Sequence, residues 1–170
     1  MVRISVTKSS TLGLQIQEIL NNFLPDYPQK YLFTNDIKIE ENTIPHSHPV
    51  LTIGTHAIYI KNPDVLLSTF LHEQIHWYLT TLDLSEYFKI LESRYPNIGA
   101  GSPNWAATQH SSYLHIIVNF MELDILEKII GQERTQKVFD FLVTDHYKEI
   151  YKLVKRDSKT LKTLLNPILI

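Results

Sequence analysis

Asn62-Pro63-Asp64-Val65-Leu66-Leu67-Ser68-Thr69-Phe70-Leu71-His72-Glu73-Gln74-Ile75-His76-Trp77-Tyr78-Leu79 reads as one helix, running from about Pro63 to Thr81. Asn62 suits the N-cap, and Pro63 suits the first helical position, where its missing N–H leaves nothing unpaired. Val65, Leu66, Leu67, Phe70, Leu71, Ile75, Trp77 and Leu79 make most of its surface apolar, so its polar stripe is expected to point into the protein. That stripe is His72-Glu73-x-x-His76. Positions i and i+4 share a helix face, so both imidazoles can reach one ion while Glu73 projects beside them. A buried carboxylate next to two histidines is costly without a partner, and metal-bound water would be such a partner.

Working outward, 170 residues suffice for one domain with a sizeable core, and a single domain over 1–170 is expected. The net charge of −2 comes without a long run of either sign. Nucleic acid and anionic membrane, which select clustered Lys and Arg, are therefore not suggested as partners. The chain has no cysteine, so disulfides and thiolate-bound metal are excluded and any zinc must sit on His and carboxylate ligands. Met1 to Lys8 shows no apolar signal stretch and no window suggests a membrane span, which makes a cytoplasmic location the default expectation.

Before the motif helix the pattern is strand-like. Val2 to Val6 alternates, and Ser9 and Ser10 can cap a helix carrying Leu12, Ile16, Ile19, Leu20 and Phe23 that stops at Pro25. Tyr31-Leu32-Phe33, Ile37-Lys38-Ile39-Glu40 and Val50 to Ile60 read as further strands, the last interrupted at Gly54. After it the pattern is helical. Helices are expected over about Ser85–Arg94 and Thr108–Ile130, with the Gly-, Pro- and Asn-rich stretch from Tyr95 to Asn104 as a loop between them. Gly131 closes the second helix, and one long and one short helix are expected to follow. The layout is α+β, with strands in the first third and helices after it.

A catalytic zinc site wants a third protein ligand. Advancing about 100° per residue puts His115, Asn119 and Glu122 in one stripe, on the side continued by Leu126 and Ile129 and opposite Asp124, Glu127 and Lys128. His115 and Glu122 are two turns apart, about 10.5 Å along the axis, so both are not expected to bind one ion directly. Glu122 has the stronger need for a cation and His115 is an equally competent ligand. Glu122 is slightly preferred here and His115 is the alternative. His46 and His48 form a His-x-His pair in a Pro-bounded loop and are expected to be solvated. Asp83 lies about two turns beyond His76, and His56, His110 and His146 read as structural or exposed.

Between Pro63 and Glu122 the chain resembles the zincin metallopeptidase superfamily, through His72-Glu73-x-x-His76, the strands before it and a later helix with a ligand candidate. The resemblance implies His72 and His76 as zinc ligands and Glu73 as general base. It also implies a small, mostly antiparallel N-terminal sheet packed on the motif helix, followed by a helical C-terminal half. Metzincins extend the motif to H-E-x-x-H-x-x-G-x-x-H, whereas Leu79 and Leu82 stand at the Gly and last His positions here. The gluzincin branch takes its third ligand from a Glu on a downstream helix. Glu122 fits that location but not the Asn-Glu-x-x-x-Asp pattern often found around it. The function so implied is zinc-dependent hydrolysis of a peptide or other amide. The alternative is a zinc-binding protein of the same fold without peptidase activity, its metal structural or its fold serving interaction.

Overall fold

Three strands build the sheet that precedes the motif helix, and all of them run parallel. The structure, a computed structural model, describes residues 2–7 and 10–170. The chain gathers into two compact units that meet in sequence between Thr81 and Leu82. The first contains β1 (Arg3–Val6), α1 (Thr11–Phe23), β2 (Asp36–Glu40), β3 (Leu51–Gly54), α2 (Ala57–Lys61) and α3 (Pro63–Leu79). Strand order is β1-β2-β3, with Ile4 opposite Ile37 and Ile39 opposite Ile53.

This corrects the expectation of a mostly antiparallel sheet. Strict alternation in β2 buries Ile37 and Ile39 on one side, but alternation reports a buried face and carries no strand direction. Direction follows the connection. The chain leaves β1, passes through α1 and re-enters the sheet at the same end, as a parallel pair requires. Antiparallel neighbours are commonly joined by hairpins, and the strands expected at 31–33 and throughout 50–60 do not form in full. Instead Gln29–Tyr31 is a turn of 3₁₀-helix, and the second half of the 50–60 stretch is α2. β3 ends at Gly54, where a Cβ would collide with the Thr43 carbonyl oxygen, so glycine is what allows that close approach.

α1 is capped by Ser10, whose hydroxyl accepts from the Gly13 N–H at 3.1 Å. Ser9, the other cap candidate, lies outside the described residues. Ile16 and Leu20 of α1, Ile37, Ile39, Leu51 and Ile53 of the sheet, and Leu66, Phe70 and Leu71 of α3 are fully or almost fully buried. Phe70 meets Phe23 and Tyr27 edge-on, at centroid distances of 5.7 and 5.2 Å.

The second unit is helical: α4 (Ser85–Arg94), α5 (Gln109–Ile130), α6 (Gln132–Leu142), α7 (Lys148–Arg156) and α8 (Ser158–Leu165). α5 is its axis, packed by each of the other four. The Thr108 hydroxyl accepts from the Ser111 N–H at 3.0 Å, and Gly131 ends α5 with a φ of 81° that favours glycine. Three helices follow instead of a long and a short one. The chain breaks at 143–147, where the Thr144 hydroxyl donates to the Phe141 carbonyl and Tyr147 takes a left-handed φ of 51°, and again at Asp157. No helix among the described residues is long and apolar enough to cross a membrane.

Candidate metal centre

α3 starts as its sequence dictates, with the Asn62 side chain accepting from the Asp64 N–H at 3.2 Å and Pro63 in the first turn. Eleven of its residues are buried, so its polar groups are inside the protein rather than on a wet face. His72 and Glu73 are 8% and 6% exposed, and His76 is half-buried. The His72 and His76 rings stand 5.1 Å apart, centroid to centroid, on one face. Gln74, about 200° around the axis from His72, is fully buried on the other side. Its Oε1 accepts from the N–H groups of Phe33 and Thr34 at 2.7 and 2.9 Å, and its Nε2 donates to the Thr34 carbonyl at 3.0 Å. Those three bonds pin α3 against rotation, which fixes the direction in which the His-Glu-His face points.

The downstream stripe is buried as its angles require: His115 at 7%, Asn119 at 0% and Glu122 at 1% exposure. Its three members differ in what they touch. The His115 Nδ1–H donates to the Ser111 carbonyl at 2.7 Å. A carbonyl can only accept, so the proton sits on Nδ1 and Nε2 carries the lone pair, the tautomer a metal ligand needs. The Tyr147 ring lies against the same imidazole, 4.2 Å between centroids. Glu122 accepts from the Tyr151 hydroxyl at 2.8 Å within the core. Burial first, then the Glu122 charge, push the Tyr151 phenol well above its usual range, so it stays the proton donor of the pair. Asn119 meets no hydrogen-bonding group among the described residues through either atom of its carboxamide.

The remaining candidates are committed elsewhere. The His46 Nδ1–H donates to the Ile44 carbonyl at 2.9 Å, and the His48 ring stacks on Trp77 at 4.2 Å. Asp83 accepts from the Ser85 N–H and hydroxyl at the start of α4, contacts that hold its carboxyl below the usual range. His56, His110 and His146 are exposed. The outer edge of β3 is occupied at Thr52, which exchanges two backbone hydrogen bonds with His46. Tyr147 and Tyr151 are the site neighbours that sequence reasoning missed. Tyr151 lies on the apolar face of α7 with Ile150 and Val154, and a buried phenol calls for a partner without naming it.

Among the described residues, His72, His76 and His115 are the histidines that could hold a metal ion as a group. No family model matches the chain, and no curated protein or solved structure matches it either.

Proposed function

We propose that this protein is a zinc-dependent hydrolase of a peptide or other amide bond, with His72, His76 and His115 as metal ligands and Glu73 as general base. The observation that carries the reading is the donor set: three imidazoles, of which His72 and His115 are buried and His76 half-buried, with the buried carboxylate of Glu73, in a chain without cysteine. Three nitrogen donors leave a coordination position for water, as a catalytic zinc requires. Of the two third-ligand candidates, His115 is preferred because its Nδ1–H is tied to Ser111, whereas the Glu122 carboxylate already holds the Tyr151 hydroxyl.

Held by these three histidines, a zinc ion would supply a Lewis acid, able to lower the pKa of water towards about 7 and to polarise a substrate carbonyl. Glu73 takes the proton of the attacking water and delivers it to the leaving nitrogen, so that the amine departs neutral. Gln74 keeps this face aimed by its contacts with Phe33 and Thr34, and the carbonyl of Ser111 keeps His115 in its ligand tautomer. Hydrolysis of a peptide library by the zinc-loaded chain is the direct measurement. Glu73→Gln is expected to bind zinc as tightly as the parent and to lose at least about 100-fold in turnover. Full activity in that variant defeats the mechanism.

The near-complete burial of Glu122 on the His115 stripe favours one second reading, a closed structural zinc for which α5 would have to distort to bring Glu122, two turns beyond His115, to the ion as a fourth ligand. X-ray absorption on the zinc-loaded chain separates the two. Three nitrogens and a water support the hydrolase, and four protein ligands support the structural role.

A further inference from the structure

Asn119 lies between two residues with assigned bonds, yet its own Oδ1 and Nδ2 are buried with no hydrogen-bond partner among the described residues. A carboxamide in that state has given up its hydration on both the donor and the acceptor side. Leucine would fill nearly the same volume without that penalty. A satisfied buried amide is available for contrast in Gln74, which makes three hydrogen bonds. Asn119 sits about 40° round the helix from His115 and about 6 Å further along it, so its carboxamide stands on the ligand side of α5. With both a donor and an acceptor to satisfy, it suits a small neutral group that offers both, and water is the simplest.

We propose that Asn119 is a positioning residue of the metal centre, hydrogen-bonded to water that enters with the ion and so coupled to zinc affinity. The inference rests on the zinc reading above. Outer groups of this kind change metal affinity by roughly 10–100-fold when removed.

The test uses the full chain, zinc alone as the probe, calorimetric titration for affinity, and thermal unfolding with zinc or with chelator. Asn119→Leu is expected to melt no lower than the parent in chelator, yet to bind zinc about 10–100-fold more weakly. Asn119→Asp keeps the shape but places a carboxylate there, so it should melt lower in chelator and gain more from zinc than the parent gains. That second variant decides the matter if the first does not fold. An unchanged zinc affinity in Asn119→Leu, or a zinc-induced gain in Asn119→Asp no larger than the parent's, overturns the assignment of Asn119 and leaves the zinc reading standing. A parent chain that binds no zinc defeats the zinc reading, and this inference with it.

Discussion

Gln74 and Asn119 are both carboxamides, both are fully buried on long helices, and each stands about a turn or less from a histidine proposed as a ligand. The Gln74 side chain closes three hydrogen bonds onto the 33–34 backbone, while that of Asn119 closes none among the described residues. The difference separates two uses of buried polarity. Gln74 spends its polar atoms on fold geometry, holding α3 at one rotation. Asn119 contributes nothing to the fold that a leucine would not, so its polarity makes sense only toward something the chain does not itself supply.

The largest expected effect falls on the satisfied amide. Gln74→Leu strands the N–H groups of Phe33 and Thr34 and should lower stability by about 3 kcal/mol, read as a shift in the urea midpoint at unchanged slope. A loss below about 1 kcal/mol would mean those groups find water instead, and the contrast with Asn119 would collapse. Tyr151→Phe comes next. It removes the donor that Glu122 holds in the core, and about 2 kcal/mol should go with it, since the acceptor is a buried carboxylate. Asn119→Leu in chelator should then be neutral or stabilising by up to about 1 kcal/mol. A clear destabilisation would place Asn119 with Gln74, as an amide the fold needs.

The reach of the sequence follows the same division. α3 was legible because Asn62, Pro63 and an apolar majority are local signals, and the His115-Asn119-Glu122 stripe was legible because helix angles follow from spacing alone. Burial of all three stripe residues agrees with that geometry. Strand direction was not legible, because Ile37 and Ile39 alternate in either a parallel or an antiparallel sheet. Nor was the bond that argues for His115. Its acceptor is a backbone carbonyl four residues earlier, a group every residue carries, so no residue type at position 111 announces it. The break between the C-terminal helices is hidden in the sequence for a related reason. Tyr147 turns the chain in a left-handed conformation that favours glycine, and a tyrosine gives no warning of it.

The smallest effect calibrates the contrast from the exposed side. Tyr95 donates to Asp157 at 3.0 Å, the same pairing of phenol and carboxylate as Tyr151 with Glu122, but nearer to solvent. The Arg156 guanidinium, forked onto Asp157 by two bonds of 2.9 Å, holds that carboxyl below its usual range against the opposing pull of burial, with help from the Tyr95 hydroxyl. A depressed carboxyl stabilises the folded state above its unfolded pKa of about 4, and that contribution fades as pH falls through the lower folded value. Asp157→Asn should therefore cost about 0.5 kcal/mol or less at pH 7, because an exposed pair is screened by solvent, and the deficit should close below about pH 4. Urea midpoints of parent and variant at pH 7 and pH 3 give both numbers. If the Asp157 loss matches that of Tyr151→Phe, burial is not what sets the strength of these phenol–carboxylate pairs. The high cost assigned to an unsatisfied polar group in the core, Asn119 included, would then be too large.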